Sequence, residues 1–283
     1  MDARDRSSLP RRASPPRRAA LPQAVDATAE LDPIFSEVVE HGLEELGLTL
    51  DVAARDAIAG HVRLLLAWNE HINLSGLRTA EQIARGHVLD ALLAVGVLRD
   101  LTGDRPRLLD LGSGGGFPGL PLAIALPTGR TALVDSIGKK AAFLRVAAAA
   151  VTAVAQVDVL AERAEDLAEE HVHRGAWDVV TARAVGSVAE VAELGLPLVK
   201  VGGHVVAWKS AGTVEPAATL KSEVADAARL IRSTGGDRPR IVALPAAARI
   251  GLPGRCLVVI DKVRPTPDGY PRVPGERRRR PLG

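Results

Sequence analysis

The chain has a single cysteine, Cys256, in 283 residues. One thiol can neither close a disulfide within the chain nor build a cysteine-based zinc site, so a reducing compartment is expected. Aromatic residues are scarce as well: three Trp, three Phe and one Tyr. Because 47% of the residues are hydrophobic, a sizeable core is possible, but it must be built from Ala, Val and Leu. No uninterrupted apolar run approaches the ~20 residues of a membrane span. The arginines near the N-terminus have no apolar segment behind them, as a secretory signal requires. The expectation is a cytoplasmic protein with one large domain, or one domain with a helical appendage.

Charge is nearly balanced at +2 overall, but it is unevenly spread. Residues 1–20 hold six Arg against two Asp, and residues 264–283 hold six Arg against Asp268 and Glu276. Each end therefore stands at +4, which leaves −6 for the stretch between. Basic ends on an acidic body suit a nucleic acid held by its phosphates. Residues 1–32 are rich in Pro, Arg, Ser and Ala without an apolar period, so that end is expected to be a disordered tail.

From Pro33 the rhythm is helical. Ile34, Val38, Leu43 and Leu46 fall near one face, and Ile58, Val62, Leu65 and Leu66 do the same in the next segment. A further helix is expected over about 80–100, completing a helical extension over 33–105. From Arg107 short apolar runs (RLLDLG, TALVDS, VDVLAE, WDVVTA, GHVVAWK) alternate with Ala- and Leu-rich helical stretches. That alternation predicts an α/β, doubly wound Rossmann-like domain over 106–263, with RCLVVIDKV and RPRIVALP as its last strands. Residues 264–283 form a basic tail.

Four of the five residues from Gly112 to Gly116 are glycine. They stand in the turn between the first strand and its helix, where a parallel sheet binds ligands and where missing side chains admit one to the backbone. Asp135 ends the second strand, and a carboxylate there can accept hydrogen bonds from both ribose hydroxyls of a nucleoside. GGGFPG formally fits a dinucleotide fingerprint. Counted from Gly112, however, its last glycine position is Phe117, too large for close helix–strand packing. D-x-G-x-G after a first strand, with Gly112 and Gly114, is instead the pattern of methyltransferases that use S-adenosylmethionine. An NAD-dependent oxidoreductase is the rival reading.

LLDLGSGGGFPGLPLAIALP followed by ALVDSIGKKAAFLRV resembles the glucose-inhibited division protein B family, bacterial methyltransferases acting on N7 of a guanine in 16S ribosomal RNA. WNEHINLSGLRTAEQIARGHVLDALL, WDVVTARAVGS and GYPRVPGERRRRPL resemble further blocks of the same family, in order, from about residue 35 to 283. The resemblance implies cofactor contacts at Gly112, Phe117 and Arg183, with Ala164 and Glu165 at the adenine end; the alanine implies a backbone contribution. Residues 1–32 have no family counterpart, and NLSG replaces the more usual NLT.

The residues also narrow the reaction. Methylation of an exocyclic amine commonly uses an N/D-P-P-Y/F segment after the fourth strand, where this chain has TARAVGS. Methylation of a pyrimidine C5 needs a cysteine nucleophile, and Cys256 reads as a small buried apolar residue. Guanine N7 has a free lone pair and needs only positioning. Arg183 is placed next to transfer, either on the cofactor's methionine carboxylate, on the guanine O6 edge, or in an ion pair with a neighbouring acid. Lys209 is a weaker candidate for the same rim. Arg272, Arg277, Arg278, Arg279 and Arg280 are expected to meet RNA phosphates, with Tyr270 and Trp208 as stacking or packing aromatics. Asn73 and His87 read as core, capping or substrate residues, and the His pair of HVH (171–173) as surface, with no metal. Rival functions are a methyltransferase for another RNA or a small molecule, and an RNA-binding protein that lost the chemistry.

Overall fold

The computed structural model describes residues 20–103, 105–211 and 216–279. Seven strands form one sheet: β1 (Arg107–Leu111), β2 (Arg130–Val134), β3 (Val157–Leu160), β4 (Trp177–Arg183), β5 (Val199–Ser210), β6 (Arg240–Ala243) and β7 (Arg255–Asp261). Their order is β3-β2-β1-β4-β5-β7-β6. β1 to β5 run parallel, and β7 is antiparallel to both β5 and β6. Every strand expected from the apolar runs is present.

The strands are apolar at successive positions because both faces of the sheet are covered. Leu108, Leu133, Val179 and Val206 point into one core, while Leu109, Ala132, Val180 and Val205 point into the other. The first core is closed by the helices Gly119–Ala125 and Gly138–Ala150 together with the N-terminal helices. The helices Val188–Gly195 and Pro216–Ser233 close the second. Each fully buried leucine contributes about 2 kcal/mol, so this small-residue core stabilises by number rather than by aromatic bulk.

The N-terminal unit opens with helices Ile34–Leu46 and Val52–Asn69. Asp51 caps the second, its Oδ1 accepting from the Ala54 N–H at 2.7 Å. Val38 and Leu43 are buried as expected, whereas Ile34 and Leu46 only rest against the core. The helix expected over 80–100 is broken into Ala80–Ile83, a π-helical turn at Ala84–Leu89, Asp90–Leu92 and Val95–Thr102. Apolar positions run on through Ile83, Val88, Leu92, Val95 and Leu98, so periodicity sees one continuous helix there.

The disordered tail expected over 1–32 is corrected from residue 20 onward; residues 1–19 lie outside the described residues. Leu21, Val25 and Leu31 pack against the first core. The Trp68 indole donates to the Pro22 carbonyl at 2.8 Å. Arg63 donates to the carbonyls of Thr28 at 2.8 Å and Ala29 at 3.0 Å. Single anchoring contacts of this kind carry no periodic signal. Among the described residues no helix is long and apolar enough to cross a membrane.

Candidate active site at the carboxyl edge of the sheet

Strand order reverses between β1 and β4, and a crevice opens beyond the carboxyl ends of strands at such a point. A cleft of about 310 Å³ lies there, and the residues lining it include Gly112, Asp135, Ala164, Glu165, Val185 and Arg277. Its size is that of a small-ligand site.

Backbone geometry explains the glycines. Gly112 and Gly114 have φ of +66° and +53°, which side chains disfavour. A Cβ on Gly112 would also press on Val185, 2.9 Å away. The rest of the run faces inward. A Cβ on Gly115 would meet Leu65 at 2.9 Å, and one on Gly116 would meet His61 Nε2 at 2.8 Å. Half of the glycine stretch therefore admits the N-terminal helices, and only its first part borders the cleft. The close helix–strand contact for which Phe117 is too large is made instead by Gly119, where a Cβ would overlap Leu133 and crowd Asp110. Asp110 is fully buried; it accepts from Thr181 Oγ1 at 2.8 Å and the Gly119 N–H at 3.2 Å. Burial lifts its pKa to about 6, opposed by those hydrogen bonds.

Asp135 sits at the cleft wall, 6% exposed. Its Oδ2 accepts from the Gly114 N–H at 3.0 Å and its Oδ1 from the Ile137 N–H at 2.9 Å. Two backbone donors fix the carboxylate plane, and each oxygen keeps lone-pair capacity for a hydroxyl. Ala164 and Glu165 begin a short helix, Ala164–Leu167, on the opposite wall.

Phe117 and Arg183 lie behind the glycine loop rather than among the cleft-lining residues. Phe117 lies between His61, tilted against it at a ring-centroid distance of 4.6 Å, and His87, stacked on it at 4.7 Å. The Arg183 guanidinium lies 5.6 Å from the Phe117 ring centre. It donates to the Gly86 carbonyl at 3.0 Å, to Asp90 Oδ2 at 2.9 Å and to His87 Nδ1 at 2.8 Å. His87 Nδ1 also lies 2.9 Å from the Gly86 carbonyl, and its Nε2 is 2.7 Å from Ser75 Oγ. Burial, with Arg183 beside it, lowers the His87 pKa to about 3. The π-helical turn presents Gly86 and His87 to Arg183, and Asp90 follows directly after it. The ion pair with a neighbouring acid, one of the three partners open to Arg183 from sequence, is formed with Asp90. Ala184, next in the chain, has φ +57° and turns Val185 back to the glycines.

The expected RNA-facing arginines are placed differently. Arg272 donates through Nε and Nη2 to the two oxygens of Glu193, each at 2.7 Å, and through its backbone N–H at 3.0 Å. With 10% and 2% of these side chains exposed, the pair ties the tail down instead of presenting a cation to solvent. Arg277 lies against Glu165 in the cleft wall. Arg279 is on the surface. Arg280 and the side chain of Arg278 lie outside the described residues. Trp208 is a packing residue, 4% exposed, with its indole donating to the Asp90 carbonyl at 2.9 Å. Tyr270 packs on the second core. Lys209 is paired with Glu223 at 2.7 Å. Cys256 is buried in β7, and burial raises its thiol pKa. His173 is not on the surface: it is 6% exposed and stacks flat on Trp177.

Sequence reading missed Asp90, Arg255 and Asn69. Asp90 is fully buried between Arg183 and Arg255, the latter 2.6 Å from Oδ1. Asn69 accepts from the N–H groups of Leu74 and Ser75 at 2.9 and 3.0 Å, so it sets the loop that delivers Ser75 to His87. An isolated acid in an apolar helical stretch was the available signal for Asp90. Asn73, singled out instead, is exposed.

A seven-stranded sheet with β7 inserted antiparallel, a glycine turn after β1 and an acid closing β2 together define a class I methyltransferase dependent on S-adenosylmethionine. Residues 55–231 match the model of a family described as rRNA small subunit methyltransferase G, GidB. The chain is similar to the ribosomal RNA small subunit methyltransferase G of Roseiflexus sp. strain RS-1, 42% identical over 83% of this chain and 95% of that protein. It is similarly related to those of Deinococcus radiodurans (40%, covering 89% and 94%) and Lacticaseibacillus paracasei (38%, covering 85% and 96%). The chain belongs to the rRNA small subunit methyltransferase G family and is an S-adenosylmethionine-dependent rRNA methyltransferase.

Proposed function

We propose that this enzyme transfers a methyl group to N7 of a guanine in 16S ribosomal RNA, acting on the small ribosomal subunit in the cytoplasm. The observation that carries this reading is the state of the titratable groups at the end of β4. Asp90 has a guanidinium on each oxygen, Arg183 and Arg255. His87, with a pKa near 3, is committed to Arg183 and Ser75. Neither group is poised to remove a proton, and a guanine N7 carries none to remove. What remains there is positive charge, suited to an O6 acceptor and to phosphates.

In this assignment Asp135 holds the ribose hydroxyls, and the Gly112 and Gly114 backbone allows close approach. The Ala164–Glu165 segment holds the adenine end. S-adenosylmethionine supplies an electrophilic methyl on a sulfonium. Arg183, steadied by Phe117, His87 and Asp90, orients the acceptor base; positioning alone is worth up to roughly 7–11 kcal/mol of barrier.

The test is transfer of labelled methyl from S-adenosylmethionine to small subunits from cells lacking the enzyme, with the RNA mapped for N7-methylguanine. Label at one guanine N7, lost with Asp135→Ala and with Arg183→Ala, is expected. Label on an exocyclic amine or a ring carbon would overturn the N7 assignment.

A further inference from the structure

The basic tail ends up somewhere its charge does not foretell. Arg174 donates to the carbonyls of Tyr270 at 3.0 Å and Pro267 at 3.2 Å. Glu193 then grips Arg272 through three hydrogen bonds. These two clamps, the second largely buried, fix the direction in which the chain leaves and bring the helix Pro274–Arg279 to the cleft. There Arg277 Nη2 donates to Glu165 Oε1. Its other terminal nitrogen, Nη1, is buried and has no hydrogen-bond partner among the described residues. Arg277 lines the cleft, and this nitrogen leaves a donor unused within the described residues.

We propose that Arg277 is a cofactor-specificity residue, which with Glu165 reads the adenine of S-adenosylmethionine, and that it is not an RNA contact. This rests on the cofactor assignment above. Glu165 offers an acceptor and Arg277 a donor side by side. Adenine's pairing edge offers the complement, an exocyclic N–H donor beside the N1 acceptor. Hypoxanthine and guanine reverse that order with a carbonyl oxygen beside an N1–H, so they meet acceptor with acceptor and donor with donor. A site built around a hydrogen-bonding pattern rejects the reversed pattern strongly because its own groups are left unpaired. The tail thus becomes part of the cofactor site, held there by Glu193 and Arg174.

The experiment titrates the full-length protein and Arg277→Met with S-adenosylhomocysteine and with S-inosylhomocysteine. In parallel, both proteins bind unmodified small subunits over a range of salt. Thermal unfolding without ligand checks that the variant is folded. The wild type is expected to prefer the adenosine compound. Arg277→Met should bind it roughly tenfold or more weakly, the loss typical of a charged hydrogen bond, with the preference over the inosine compound reduced. Subunit affinity and its salt slope should stay unchanged. Equal adenosine-compound binding by the two proteins would overturn the proposal. So would a loss confined to subunit binding, with a salt slope smaller by about one, the mark of a phosphate contact. A wild type that binds neither compound would overturn the cofactor assignment itself, a result distinct from equal binding by wild type and variant.

Discussion

Replacing Asp90 with Asn separates charge from shape at the centre of the site. The carboxylate is fully buried, with Arg183 Nη1 2.9 Å from Oδ2 and Arg255 Nε 2.6 Å from Oδ1. An asparagine fits the same volume but has one acceptor and one NH₂ group. Whichever way it turns, one guanidinium faces a donor, and two cations then share a pocket with no anion. Removing one partner of a buried ion pair costs about 3–5 kcal/mol. Arg183 and Arg255 keep 14% and 28% of their side chains exposed, so the lower end, about 3 kcal/mol, applies. For a domain of this size each kcal/mol shifts the melting temperature by about 2–4 °C, so a fall of roughly 6–12 °C is expected. The assay is calorimetric unfolding of wild type, Asp90→Asn, Arg183→Met and the double variant, at low and high salt. The double variant should be less destabilised than the sum of the singles, because only one cation then remains. A fall under about 2 °C, strict additivity, or an effect removed by high salt would refute the reasoning, since a buried pair is poorly screened.

Acid should weaken the fold through two histidines. His61 and His87 have pKa values lowered to about 4 and about 3, first by burial, so the unfolded chain takes up their protons below pH 6.5 while the folded chain does not. Each costs about 1.4 kcal/mol per pH unit between 6.5 and its folded value. Asp110, raised to about 6, works the other way from pH 6 to about 4, so the net loss is two histidines' slope from 6.5 to 6 and about one histidine's slope from there to about 4. Urea unfolding at pH 7, 6 and 5 should show it, and His61→Leu should flatten it; an unchanged slope in that variant would count against the assignment. Arg272→Gln strands Glu193, 2% exposed, and should lower stability by about 3 kcal/mol, read as a lower urea midpoint at constant m; an unmoved midpoint would contradict the buried clamp. Gly119→Ala drives a methyl into Leu133 and Asp110 and should cost about 1–3 kcal/mol. A crystal structure of that variant with the helix unmoved and stability intact would show that the contact is not tight.

Strands were the most legible part of the chain. RLLDL, TALV, VDVL and RCLVVI are short apolar runs at which both faces are buried, and such runs carry their signal locally. The glycine turn and Asp135 were legible for the same reason: a left-handed backbone position demands glycine, and a strand end presents its acid at a fixed distance from the preceding turn. Arg183 could be found but its partner could not, because Asp90 is 93 residues earlier in the chain. The π-helical turn was hidden because the apolar spacing continues through it. The partners of Arg272 and Arg277 were not legible, because no local pattern links six arginines in twenty residues to Glu193 and Glu165.

By itself the sequence determined the layered α/β class, the place of the glycine turn and the family, since strand period, glycine conformation and motif spacing are all local properties of the chain. Tertiary structure alone decided which charges meet. It turned half of a glycine loop toward the protein's own helices, took Arg183 into an ion pair, and set Arg277 in the wall of the cleft. Ion pairs and close packing depend on distances between residues remote in sequence, and folding creates those distances.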